Sequence, residues 1–173
     1  MLEVDDINVH YADSHTLRGV SFSAREGEVV CLLGRNGAGK TTTILTTMGY
    51  LKPRSRRIVY CGRYITTLRP YEIARLGVGY VPQERGIFPS LTVLENLAVF
   101  ARNGHARRWT LQRVYELFPA LEARSANLGF QLSGSEQQMP SIARALAQSE
   151  PLTARRAIRG SRTTDTAANC RRA

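Results

Sequence analysis

The residues with the clearest chemical meaning are Gly34, Arg35, Asn36, Gly37, Ala38, Gly39, Lys40 and Thr41. They run glycine, four residues, glycine, lysine, threonine. Glycines at 34, 37 and 39 let a backbone turn tightly and bring its N–H groups against an anion. A helix starting at Lys40 adds the positive end of its dipole. In that setting the Lys40 ammonium meets the outer phosphates of a nucleoside triphosphate, and the Thr41 hydroxyl is placed to hold Mg²⁺. A glycine-rich turn that binds nothing is the bland alternative. Eight aligned positions, with an apolar run before them and a helix-like segment after, argue against it.

The elements around the loop read as follows. Leu2, Val4, Ile7, Val9 and Tyr11 alternate with polar residues as in a strand. Residues 20–24 predict a second strand, 25–28 a hairpin turn, and 29–33 the strand that carries the loop. A helix is expected from Lys40 to about Met48, stopped by Gly49 and Pro53. Residues 57–61 predict a short strand. Pro70 opens a helix over 71–76, and residues 78–81 form another strand, ended by Pro82. Residues 91–101 have helical spacing. Thr110 caps a further helix that runs to Leu117 and stops at Pro119. Strands mixed with helices around a phosphate loop indicate an α/β sheet.

Composition narrows the class further. At 173 residues the chain can form one domain with a real core. No apolar run approaches the ~20 residues that span a bilayer, and the start lacks a secretory pattern. The expectation is a cytosolic protein, or one held at a membrane by a partner. Cys31, Cys61 and Cys170 have no metal-ligand spacing, and Cys31 is expected in the core. The net charge of +10 is concentrated at the end, where Arg155, Arg156, Arg159, Arg162, Arg171 and Arg172 face only Asp165. A basic nucleic-acid-binding module is therefore disfavoured, and no nucleic-acid partner is expected.

Two later stretches narrow the class again. One is Tyr80-Val81-Pro82-Gln83, followed by residues 87–93, Ile-Phe-Pro-Ser-Leu-Thr-Val. The other is Leu132-Ser133-Gly134-Ser135-Glu136-Gln137-Gln138, followed by Ile142-Ala143-Arg144-Ala145-Leu146. In this order behind the phosphate loop, they resemble the ATP-binding cassette (ABC) ATPases over about residues 2–150. The wording of residues 32–43, 87–93, 131–134 and 136–139 resembles the branched-chain amino acid importer ATPases, with urea importers close by. The resemblance implies an ABC-type P-loop NTPase sheet with an N-terminal antiparallel β subdomain and a helical subdomain. It implies ATP and Mg²⁺ as ligands. Tyr11 matches the aromatic that stacks on adenine, and residues 34–42, Thr42 included, match the phosphate contacts. Gln83 matches the glutamine that reaches Mg²⁺ and the attacking water. Ser133 and Gly134 match the signature that contacts nucleotide bound by a partner chain. Implied partners are a second ATPase subunit, membrane permease subunits and, indirectly, a periplasmic solute-binding protein. The implied location is the cytoplasmic face of the inner membrane, as a peripheral subunit. A non-transport cassette ATPase is the competing class; those usually carry two cassettes or long insertions.

The chain also departs from that pattern. Ser135 stands where a second glycine is usual, Arg56 where a turn glycine is usual, and Pro140 falls inside an expected helix. An interior proline costs about 3 kcal/mol, so a kink or a restart at Pro140 is expected. The family's apolar strand ending Asp-Glu-Pro, and its switch histidine, do not follow Pro151. A shifted reading frame over residues 153–164 permits Leu-Leu-Asp-Glu-Pro-Ser-Glu-Gly-Leu-Ala-Pro. Residues 1–150 are thus expected to form a partial cassette with part of its core missing. Residues 151–173 are expected to be a disordered or out-of-frame basic tail, and hydrolysis is expected to be lost.

Overall fold

The computed structural model describes residues 1–11, 14–84, 86–101 and 109–148. They fall into two units, the first ending at Leu76 and the second beginning at Gly77.

The first unit is built on an antiparallel sheet in the order β2-β1-β3-β4. Its strands are β1 (Leu2–Tyr11), β2 (Ser14–Ala24), β3 (Ser55–Tyr60) and β4 (Arg63–Tyr64). β1 pairs with β2 from Leu2↔Ala24 to Tyr11↔Ser14, and with β3 from Leu2↔Tyr60 to Asn8↔Ser55. The β1 alternation breaks at Asp6, which takes φ 48°, and the ladder to β2 slips between Val4 and Ile7. This slip puts both Val4 and Ile7 in the core with Val9, Leu17 and Ile58. Helix α1 (Lys40–Thr47) ends at Met48, with Gly49 after it at φ 76°. Helix α2 (Pro70–Arg75) starts on its proline and is fastened by Glu72, whose carboxylate accepts the Arg69 N–H at 2.7 Å.

The β2 strand is longer than the sequence reading, starting at Ser14 rather than at residue 20. Two expected strands do not form. Residues 29–33 follow a turn closed by Glu28 N–H donating to the Arg25 carbonyl at 3.2 Å, but take no regular structure. Val29 is 91 % exposed and Leu33 89 %, and Cys31, expected in the core, is also exposed. The physical reason is pairing. An all-apolar strand is stable only between neighbours that cover both faces and take up its N–H and C=O groups. The described residues supply no such ladder. Residues 78–81 are irregular for the same reason.

The second unit is helical: α3 (Val93–Ala101), α4 (Leu111–Leu117), α5 (Pro119–Ala123), a 3₁₀ turn (Gly129–Gln131) and α6 (Gly134–Gln148). Its core holds Val93, Leu97, Val114, Leu121, Leu132 and Ala143, with Trp109, Tyr115, Phe118 and Met139 packed against them. Thr110 caps α4 as expected, accepting the Arg113 N–H at 3.3 Å. Pro119 ends α4 and also begins α5, because a proline is preorganised for a first helical turn. The helix does not restart at Pro140; α6 runs through that residue. Pro140 is fully buried, so packing offsets the lost hydrogen bond.

Candidate functional site

The loop of residues 34–41 takes its shape from its glycines. Gly37 and Gly39 take φ 82° and 88°, where residues with a Cβ are strained. At Gly37 a Cβ would meet nothing within 4 Å, so only the backbone conformation asks for glycine there. At Gly39 a Cβ would lie 2.5 Å from Leu17 Cδ2. Gly39 is therefore the point where strand β2 packs against the start of α1.

Within the loop, Ala38 N–H donates to the Arg35 carbonyl at 3.1 Å. Lys40 Nζ folds back to donate to the carbonyls of Gly34 at 2.6 Å and Arg35 at 2.8 Å. A positive charge is thus held over the loop at the N-terminus of an eight-residue helix. The first turn's N–H groups have no acceptor one turn back. Charge, dipole and N–H groups converge, which is the physical requirement for binding an anion. The five threonines of this helix divide by role. Thr43, Thr46 and Thr47 are buried, and their hydroxyls donate to carbonyls one turn back at 2.7–2.9 Å. Thr42 is half-buried and Thr41 is exposed at the loop. Arg35, Asn36 and Ala38 are exposed as well.

Tyr11 lies at the end of β1, paired with Ser14 and 48 % exposed. Beside it the rings of His10 and His15 stack, with centroids 4.0 Å apart. Burial, then the nearby charges of His15, Arg54 and Arg18, lower the His10 pKa from its usual 6.5. His15 Nε2 is held 3.1 Å from Asn8 Oδ1.

Gln83 and Ser133 belong to the second unit. Gln83 is exposed in a turn after Pro82. Gly86 closes that turn at φ 59°, where a Cβ would be 2.9 Å from Pro82 Cγ. Ser133 starts α6 in a reciprocal cap: its N–H donates to Glu136 Oε2 at 2.8 Å, and Glu136 N–H donates to Ser133 Oγ at 3.4 Å. Hydrogen bonds from the Ser133 side chain and backbone, with a smaller contribution from Arg124, hold the Glu136 carboxyl below the usual carboxylate range. Gly134 and Ser135 follow, with Ser135 Oγ 3.3 Å from Ser133 Oγ. The N-terminus of a 15-residue helix therefore faces outward with a serine hydroxyl beside it.

The structure draws the loop residues 34–42 into one unit of geometry, and within it Lys40 meets Gly34 and Arg35. Tyr11, Gln83 and Ser133 each stand on a separate element. Two buried polar residues escaped sequence reasoning as positioning groups. Asn96 in α3 is 1 % exposed. Its side chain accepts the Phe88 N–H and donates to the carbonyls of Phe88, Leu91 and Thr92. Arg144 in α6 is 8 % exposed; it donates to the Gly86 carbonyl, and its guanidinium lies 5.5 Å from the centroid of the Phe88 ring. Burial lowers its pKa. The signal for both was a polar residue on the apolar face of an amphipathic helix.

Residues 17–154 match the family described as ABC transporter. Over 148 residues the chain is 38 % identical to the high-affinity branched-chain amino acid transport ATP-binding protein BraG of Pseudomonas aeruginosa, covering 84 % of this chain and 64 % of BraG. It is 37 % identical to the lipopolysaccharide export system ATP-binding protein LptB of Haemophilus influenzae, covering 85 % of this chain and 63 % of LptB. Among solved structures, a dimeric bacterial ABC transporter cassette superimposes with a TM-score of 0.73 at 26 % identity, covering 88 % of this chain and 71 % of that one. The chain spans less than two thirds of the length of these two curated relatives. Among the described residues, no helix is long and apolar enough to cross a membrane.

Proposed function

Because this chain belongs to the ABC transporter family, we propose that it is the nucleotide-binding part of a transporter's ATPase subunit. It takes Mg²⁺-ATP at the loop of residues 34–42. The observation that carries this reading is the loop itself, where the Lys40 ammonium is held over glycine-turned backbone at a helix N-terminus. In this reading Gly34, Arg35, Asn36, Gly37, Ala38, Gly39 and Thr42 line the phosphates, and Tyr11 stacks on the base. The Thr41 hydroxyl and the Gln83 amide oxygen are hard donors of the kind Mg²⁺ takes alongside phosphate oxygens. Bound Mg²⁺ would neutralise charge on the outer phosphates. Ser133 and Gly134 present a capped helix N-terminus to nucleotide held by a second ATPase subunit.

The transported solute in this reading is a branched-chain amino acid, supported by the wording of residues 32–43 and 87–93 and by the names of two relatives. Relatives named for lipopolysaccharide export and Nod factor export work on other cargo. A urea or amide importer fits the same residues. Membrane permease subunits are the docking partners, and the chain sits peripherally on the cytoplasmic face. Residues 135–173 carry no Asp-Glu pair, so in this reading these residues hold nucleotide but supply no carboxylate to activate the attacking water. Phosphate release by purified chain tests this: none above background is expected. Turnover that disappears with Lys40→Ala would overturn the non-hydrolytic part of the reading.

A further inference from the structure

We propose that Arg144 is a positioning residue for the Gln83 segment, tying the end of that segment to the helix that Ser133 caps. Three features carry this. First, Arg144 makes two unlike contacts on one short segment, a hydrogen bond to the Gly86 carbonyl and a ring contact with Phe88. A planar guanidinium can lie against a ring and donate in its own plane at once; an ammonium has no flat face and no fixed fork of donors with which to reproduce that geometry. Second, the same segment is fixed again at Phe88 and Pro89. Asn96 binds both backbone groups of Phe88, and Gly129 packs so closely on the Phe88 carbonyl that a Cβ would lie 2.7 Å from it. Phe130 N–H also donates to the Pro89 carbonyl at 3.1 Å. Third, Ser133 caps the N-terminus of α6, and Arg144 lies eleven residues further along the same helix. The cap and the guanidinium-bearing residue are therefore joined by about 16 Å of helix. A shift at the capped end of α6 is carried as a rigid body to Gly86, three residues from Gln83.

The proposal rests on the reading of Gln83 as a nucleotide-responsive residue, and the two are tested separately. Backbone hydrogen exchange of the non-proline residues from Gln83 to Leu91 is measured in the wild-type chain and in Arg144→Lys, without nucleotide. Trp109, the single tryptophan, packs against the core of this unit and reports its integrity by fluorescence. The expected result is exchange at least about tenfold faster at Gly86 and Phe88, with exchange in α3 and α6 and the Trp109 emission unchanged. Wild-type exchange rates in the variant overturn the proposal. So does acceleration spread equally over α3 and α6, because Arg144 would then be only a core residue. A second arm adds Mg²⁺-ATP. Slower exchange at Gln83 and Glu84 in the wild type, absent in Arg144→Lys, supports the link to the helix that Ser133 caps. No response in the wild type refutes the nucleotide reading of Gln83, and with it the functional half of the proposal.

Discussion

Gly39→Ala should be far more costly than Gly37→Ala, although both glycines take nearly the same backbone conformation. At Gly37 the new Cβ meets nothing within 4 Å. The cost there is the left-handed backbone alone, roughly 1–2 kcal/mol. At Gly39 the same strain is joined by a Cβ placed 2.5 Å from Leu17 Cδ2. Leu17 is 2 % exposed, so its methyl can yield only by displacing other core atoms. Overpacking of that kind adds about 1–3 kcal/mol, giving roughly 2–5 kcal/mol in all. That is a large share of a typical ~5–15 kcal/mol domain stability. The assay is denaturant unfolding followed by far-ultraviolet circular dichroism for both single variants. A double-mutant cycle with Leu17→Ala isolates the clash. Once Leu17 is truncated, Gly39→Ala should cost no more than Gly37→Ala does in the wild-type background. Equal losses for the two single variants, or a cycle with no coupling, would refute the packing of β2 against the loop at Gly39.

Other outcomes follow from the same contacts. Thr110→Ala removes the α4 cap and should cost about 1 kcal/mol, read from denaturation monitored by Trp109 fluorescence. Asn96→Ala strips four hydrogen bonds from residues 88–92 and should cost roughly 2–4 kcal/mol by the same measurement; a loss under 1 kcal/mol would contradict its role. Acid should weaken the fold in two steps. The His10 pKa is lowered in the fold, so its contribution is complete above about 6.5 and declines as pH falls below that value. The Glu95 and Glu136 carboxyls are also lowered, held by Thr92 and Ser133 respectively. Their contributions are complete above the ordinary 4.5 and are lost as pH falls through the depressed values. Denaturation midpoints between pH 7.5 and 3 check this, and His10→Phe should flatten only the upper step.

Much of this architecture is written locally in the chain. The β1 alternation, Pro70 at the head of α2 and the Thr110 cap each act within a few residues, and the structure carries all three. What failed depends on distant partners. Residues 29–33 have the composition of a buried strand, yet composition cannot supply the neighbours that would bury it, and Val29 and Leu33 lie open. Pro140 misled in the opposite direction: a local rule allowed a restart there, and α6 runs on through the buried proline. The loop was legible because its glycines, Lys40 and Thr41 are contiguous. The Leu17–Gly39 contact and the Arg144–Gly86 hydrogen bond were not, since each joins residues far apart in sequence.

The central claim is that residues 34–42 bind nucleotide through Lys40. Isothermal titration of Mg²⁺-ATP into the purified chain and into Lys40→Ala tests it most directly. Removing a charge-assisted contact to phosphate is worth roughly 1.5–3 kcal/mol, or about ten- to a hundredfold in affinity. The account predicts saturable binding by the wild-type chain that weakens by at least tenfold in the variant. Equal affinity in both, or no binding by a folded wild-type chain, would contradict it.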